Sequence, residues 1–470
     1  MSDIRNLSKL RPLGKLEQVS AACHHLGFYN NVGLSAHYSL VKALEASDFQ
    51  PLVYSALADV IVKNNILSAI PVGEETTEPY FAQLPSIHFE KCVFFVERNQ
   101  SSCGSEDKEL DTILENQHNT NFKSHYGTLP FWRLLIIRTP GLDTDFTASF
   151  IFHHAIGDGM AGIIFHRAFK DAIESALTAS SLDKKKKLVF DSAKNSLFPP
   201  LEELHPLPIC ENSPSAPTEA LKQWTGNPIQ SPCLSRFRSL TLSPAVSKGF
   251  VGECREKTLS VTSVLPSWIT TILFTLVPET TEALTCIIPV NLRPWLTLPR
   301  NVSDTAIGTF IDAFKVQLRR PRNLSEDHFD DNVWAGAQQT GNDVRQYLTG
   351  NLSPSGEPYT AVAVFKRIPD VSVVFNSTLG KDRDATLEVS NLGVFSRPHE
   401  GANGDCLHCH VGRVTFSRSS VISGSAITIS VVTGGDGGLT IGFSWQKDVV
   451  EDELVNRLID ETRRSFGAYS

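Results

Sequence analysis

Two adjacent histidines, His153 and His154, end the apolar run "DFTASFIF" (145–152), and Asp158 and Gly159 complete the stretch "HHAIGDG". A neutral imidazole can take a proton from a hydroxyl near pH 7. Held just past a buried strand, such a ring is fixed by a rigid element and can still face a cleft, as a general base requires. Asp158, at the fourth position after His154, can orient the ring or pin the turn. Gly159 lets another part of the backbone pass closely. The same residues also suit a plainer role, as satisfied histidines where two lobes meet. Spacing by itself leaves both readings open.

The surrounding pattern predicts the elements that hold this stretch. "CVFFVER" (92–98), "FWRLLIIR" (131–138) and "DFTASFIF" read as strands, the last too apolar for a half-exposed edge. After the motif, Met160, Ile163, Ile164, Ala168 and Ala172 share one helical face. "HHAIGDG" is therefore expected in a strand-to-helix turn. "GLSAHYSLVKALEAS" (33–47) and "PLVYSALADVIVKNN" (51–65) read as amphipathic helices. Between 181 and 240 the chain turns rich in Pro, Ser and charge, the mark of a linker or crossover. The second half repeats the mixed character. Residues 254–276 read as a turn and short strand entering a helix, with Pro266 near its start. Residues 283–296 contain a buried-type strand ending at Pro289 or soon after, and 370–378, 385–395, 411–420 and 426–446 read as strands, the last a hairpin turning at Asp436-Gly437. "DELVNRLIDETRRSF" (452–466) closes the chain as an amphipathic helix. The expected organisation is an N-terminal lobe over 1–180, a crossover over 181–240 and a C-terminal lobe over 241–470.

Composition narrows the function classes. A chain of 470 residues is long for one core. Its net charge of -8 argues against a nucleic-acid binder, which carries a basic surface. The N-terminus lacks the apolar stretch of a secretory signal, and no apolar run approaches about 18 residues. The nine cysteines are odd in number and scattered, as expected of reduced thiols in a cytoplasmic protein. A two-lobed chain builds its own cleft, so a monomer suffices.

"HHAIGDG" resembles the HHxxxDG signature of CoA-dependent and carrier-protein-dependent acyltransferases. That superfamily includes chloramphenicol acetyltransferase, the plant BAHD enzymes and peptide-synthetase condensation domains. "RPLGKLEQVSAACHHLGFYNNV" (11–32), "LPFWRLLI" (129–136), "IPVNLRP" (288–294) and "VSNLGVF" (389–395) are similar, in the same order, to the fungal alcohol acetyltransferase family. The DFGWG motif of the plant branch is absent from the sequence, and its nearest glycine-rich stretch, "TGGDGGLT" (433–440), reads as a hairpin turn. The resemblance implies an α/β protein of two chloramphenicol-acetyltransferase-like lobes, each a mixed sheet with helices, and an active-site channel between them. It implies transfer of acetyl, or another short acyl group, from acyl-CoA to an alcohol, as in fungal secondary metabolism. Acetyl-CoA would be a co-substrate, with no permanently bound cofactor and no metal.

By the same resemblance His154 is the general base and His153 helps set the turn. Asp158 faces away from the base and pairs with an arginine of the second lobe, matched here by Arg293. The group that stabilises the oxyanion is not named by the motif. Asn376, Ser417, Thr428 and Ser430 are candidates from second-lobe strands, and Ser390 and Asn391 can line the cleft or form a polar turn. Rival readings keep the fold: a carrier-protein-bound acyl donor, an amine acceptor, or a binding protein without turnover. An acyl carrier protein is thus a conceivable partner, with Lys184, Lys185, Lys186 and Lys187 the one conspicuous basic run. Membrane contact through the closing helix is disfavoured, because its polar side mixes acids and bases.

Other constellations compete weakly. "CLHCH" (406–410) gathers Cys406, His408, Cys409 and His410, but no second half of a zinc site follows. A second histidine pair, His24 and His25, lacks the aspartate and glycine and reads as part of a helix. No G-x-S-x-G elbow or Walker A loop is present, which argues against a serine hydrolase or an NTPase.

Overall fold

The strand that ends at the histidines, Asp145–Phe152, is apolar on both faces because both are covered. Phe146, Ala148, Phe150 and Phe152 enter one core cluster, while Ile151 enters another with Leu135 and Ile137. A strand covered on two sides reads as a continuous apolar run rather than an alternating one. The helix Gly159–Thr178 returns over this strand and stacks Phe165 on Phe150, ring centroids 3.8 Å apart and 3° from parallel. The turn carrying the motif is therefore clamped at both ends.

The computed structural model describes residues 4–99, 104–178, 188–192, 196–209, 221–350, 352–395 and 408–469. Two mixed sheets organise them. The first, of five strands, runs in the order Cys409–Arg418, Val32–Leu40, Asp145–Phe152, Trp132–Arg138, Val93–Glu97. Its neighbours are antiparallel except the last pair, which is parallel. The second, of six strands, runs Ser235–Leu242, Leu439–Gln446, Ile427–Thr433, Leu387–Val394, Ala283–Asn291, Ile311–Arg319. Leu387–Val394 pairs in parallel with both its neighbours and the remaining pairs are antiparallel. Helices including Val261–Leu276, Phe329–Arg345 and Asp452–Phe466 bury their apolar faces against the second sheet. This is the expected two-lobed α/β architecture.

One strand crosses the division expected at 240. Cys409–Arg418 leaves the second half and adds to the first sheet beside Val32–Leu40. It stays close to the second sheet: Ser444 Oγ donates to the Arg418 carbonyl at 2.8 Å. A Cβ on Gly442 would lie 2.6 Å from the Phe416 carbonyl, so this approach needs glycine.

Three segments differ from their sequence reading. Residues 33–47 are not a helix; Val32–Leu40 is a strand paired on both sides, and Ala46 begins the helix Ala46–Lys63. Its near-continuous burial hides the alternation that marks a strand. The stretch entering Val261–Leu276 is the helix Pro244–Glu256 followed by a turn, with Ser260 capping the second helix through its acceptance from Ser263 N–H. Residues Val371–Asn376 form a short helix, not a strand, capped by Asp370. Lys184 to Lys187 and Cys406 lie outside the described residues. Among the described residues, no single helix is long and apolar enough to cross a membrane.

Phe150→Ala removes the ring on which the helix after the motif stacks. It should destabilise the protein by about 3–5 kcal/mol, read as a lowered urea midpoint. A midpoint within experimental error of wild type would show that the stack does not hold the two elements together.

Candidate active site

The turn from His153 to Asp158 is tied down through its main chain. His153 N–H donates to the Phe131 carbonyl at 2.9 Å, and Asp158 N–H to the Gly308 carbonyl at 3.2 Å. Thr309 Oγ1 donates to the His154 carbonyl at 2.7 Å. The first contact comes from the first half and the other two from the second.

Asp158 has both oxygens committed. Oδ1 accepts from Ala161 N–H at 3.1 Å, in the manner of a helix cap. Oδ2 accepts from Phe310 N–H at 2.9 Å and from Arg293 Nη1 at 2.8 Å. Arg293 also donates to the carbonyls of Ala306 and Gly308 and to Asn291 Oδ1, at 3.1–3.3 Å. Both charged side chains are 1% exposed. A buried ion pair survives only with its remaining donors and acceptors satisfied, as they are here. Neither carboxylate oxygen bonds a histidine, so Asp158 is not the third member of a serine-protease-like triad.

Gly159 begins the helix where the second lobe comes nearest. A Cβ there would sit 2.7 Å from Leu392 Cδ2 and 3.1 Å from Phe416 Cζ. His154 and Gly159 line a cleft of about 280 Å³ whose walls come from both halves. Most of the lining side chains are apolar, among them Leu16, Val19, Val32, Met160, Phe375 and Phe416. Its polar side holds the ion pair between Arg418 and Glu388, with Arg418 Nε donating to Ser430 Oγ at 3.1 Å. The Tyr29 ring packs against His154 at 5.7 Å between centroids. Burial pushes the His154 pKa below the usual 6.5, while its own main-chain carbonyl and the charge of Asp158 push it back up. Burial therefore favours the neutral, proton-accepting form.

The candidate cleft residues separate. Ser390 and Asn391 line the cleft, and Asn391 Nδ2 donates to Thr262 Oγ1 at 3.1 Å. The other four are not in its wall. Ser417 faces Gly33 in the first sheet, and Thr428 lies buried beside Ser425. Ser430 is held behind Arg418, and at the end of the short helix it is Phe375 rather than Asn376 that faces the cleft. The misreading of 370–378 as a strand explains the last error, since a strand would place alternate residues on the cleft side. The sequence reading missed Tyr29, Glu388 and Arg418. Glu388 stands directly before "VSNLG" and Arg418 lies inside "VGRVTFSRSS", so an isolated charge in a buried strand was the available signal. In "CLHCH", the His408 and Cys409 main-chain N–H groups donate to Glu174, and Cys409 is buried while His410 is exposed.

A two-lobed α/β chain with a histidine turn facing an interlobe cleft is the architecture of the HHxxxDG acyltransferases. Residues 12–218 match the family described as "Alcohol acetyltransferase". The chain is 50% identical over 462 residues to "Probable alcohol acetyltransferase crmB" of Aspergillus fumigatus, covering 97% of this chain and 99% of that protein. It is 22% identical to "Probable alcohol acetyltransferase FCK4" of Fusarium pseudograminearum, over 96% and 94% of the two chains. Among solved structures, the trichothecene 15-O-acetyltransferase TRI3 of Fusarium sporotrichioides superposes with a TM-score of 0.71 at 14% identity, covering 98% and 94%. The first condensation domain of the CDA synthetase superposes with a TM-score of 0.63 at 11% identity, covering 98% and 96%. The chain belongs to the alcohol acetyltransferase family and is a CoA-dependent acyltransferase.

Removing either partner of the ion pair strands a buried charge. Asp158→Ala and Arg293→Ala should each cost about 3–5 kcal/mol in urea unfolding. The double variant should lose clearly less than the sum. Strictly additive losses would mean that the two side chains do not act as a pair.

Proposed function

We propose that the protein transfers acetyl from acetyl-CoA to the hydroxyl of a largely apolar alcohol in fungal secondary metabolism, with His154 as general base. The observation that carries this reading is the His154 ring in the cleft wall, packed against Tyr29, with its main-chain carbonyl held by Thr309 of the second half. Its Nδ1 is sealed from solvent. Nε2 is then the nitrogen offered to substrate. It takes the acceptor's hydroxyl proton as the oxygen forms a bond to the thioester carbonyl carbon. The tetrahedral intermediate collapses by breaking the C–S bond, and the imidazolium returns its proton to the departing CoA thiolate. No covalent enzyme intermediate is needed. The apolar lining supports an acceptor with a hydrophobic body, and the Arg418–Glu388 pair supplies one polar wall.

His154→Ala should lower CoA release with an accepted alcohol by about 10²- to 10⁴-fold, while the folded protein is retained. An undiminished rate would remove His154 as the base. Because burial lowers its pKa, His154 stays unprotonated below the usual range. Activity of the wild type should hold as pH falls through 6.5 and decline only at lower pH, where the ring gains a proton. An acid limb of kcat/KM centred above 6.5 would contradict this environment.

A further inference from the structure

The first histidine of the pair has a partner outside the motif. Glu74 sits in the turn between the strands Ala69–Val72 and Tyr80–Gln83, far from the motif in sequence. Its Oε2 is hydrogen-bonded to His24 Nδ1 at 2.8 Å, and its Oε1 faces His153 Nε2 at 3.3 Å, an electrostatic contact outside hydrogen-bond geometry. The two imidazoles meet edge to face with centroids 4.6 Å apart, and Phe131 and Phe122 pack around them. His24 and His153 are each 1% exposed and Glu74 is 7% exposed.

The far nitrogens decide what this cluster is. Phe122 N–H donates to His24 Nε2 at 3.1 Å, and Ala155 N–H donates to His153 Nδ1 at 3.0 Å. A nitrogen that accepts cannot carry the proton, so the proton of each ring sits on the nitrogen facing Glu74. Both rings then present N–H groups to one carboxylate. A divalent metal would need those same two nitrogens bare, forcing protons onto the nitrogens already occupied by main-chain donors. The three residues are spaced closely enough for an ion, but the main-chain hydrogen bonds contradict one. Burial disfavours the Glu74 carboxylate, yet the N–H groups that His153 and His24 turn toward it outweigh that and hold its pKa down at about 2. Burial likewise pushes His153 down to about 4.

We infer that Glu74 is a positioning residue for acyl transfer: its carboxylate, facing His153 Nε2, favours the proton on that nitrogen, keeps Nδ1 free to accept from Ala155 and so fixes the turn that presents His154. This inference rests on His154 as the base. His24, the first of the second histidine pair, is thereby absorbed into the site as the second anchor of the same carboxylate, while His25 stays exposed.

The test uses the full chain labelled with ¹⁵N-histidine. In the wild type, the ring-nitrogen spectrum should show His153 protonated at Nε2 and bare at Nδ1. A Nδ1-protonated His153, or a stoichiometric divalent metal retained through purification, would overturn the inference without any variant. E74Q turns an amide N–H₂ toward one imidazole N–H, so it should mix the His153 tautomers. It should lower kcat about 10- to 100-fold while leaving KM for acetyl-CoA nearly unchanged. H24Q keeps the Glu74–His153 contact and should lose less than E74Q in kcat. Wild-type kcat and an unaltered His153 spectrum in E74Q would overturn the positioning role. An inactive His154→Ala beside them would show that the base assignment itself stands. The tautomer readout does not depend on turnover, so failure of that assignment cannot imitate failure here.

Discussion

Asp158 and Arg293 meet where water is almost entirely excluded, and the position of every reacting group traces back to that contact. Taking a carboxylate and a guanidinium out of water costs several kcal/mol for each ion. The cost is offset only because the carboxylate accepts from two main-chain N–H groups besides the arginine, and the guanidinium donates to two main-chain carbonyls. Those main-chain groups belong to the helix after the motif and to the loop at 306–310 of the second half. The ion pair therefore fixes the two halves against one another beside the cleft. An apolar pair could fill the same volume, but it would not dictate which carbonyl meets which donor. The pair trades stability for a single arrangement of the turn.

That constraint also determines what the aspartate cannot do. Both of its oxygens are engaged by the arginine and by main-chain N–H groups, and neither bonds an imidazole. His154 is tuned chiefly by burial, with Tyr29 packed against its ring, and the charge of Asp158 offsets this only in part. A histidine kept neutral by burial suits a reaction whose first need is to accept a proton and whose second is to give it back. Close approach is the other requirement. Gly159 admits Leu392 and Phe416 to within contact of the helix start, where they form part of the largely apolar cleft wall.

Local chemistry made much of this legible in the sequence. An apolar strand, a short polar turn and an amphipathic helix are neighbours in the chain, so "HHAIGDG" could be placed without a structure. Arg293 became legible through its place in "IPVNLRP", because its partner lies 135 positions away. What was lost depends on non-local pairing. Val32–Leu40 read as helical since both its faces are buried and its neighbours in the sheet come from 145–152 and 409–418. The crossing of Cys409–Arg418 into the first sheet, which brings Arg418 and Phe416 to the cleft, leaves no periodic trace. His24 and Glu74 were invisible for the same reason. Each is ordinary in its own element, and only the fold sets them against His153.

The adjacency of the two histidines now has a geometric reason. At the end of an extended strand, successive side chains leave on opposite sides. His153 thus turns into the first half, toward Glu74, His24 and Phe131, and His154 turns into the cleft. In the proposed reaction the His154 ring must leave one nitrogen free, so it cannot also anchor the turn. Placing the anchor on the preceding residue solves this within one step of backbone, because any rotation of the turn that displaced His154 would also break the His153 contacts. A single histidine would have to choose between holding the loop and accepting the proton. Two adjacent ones divide the tasks, and the alternation of the strand keeps them apart.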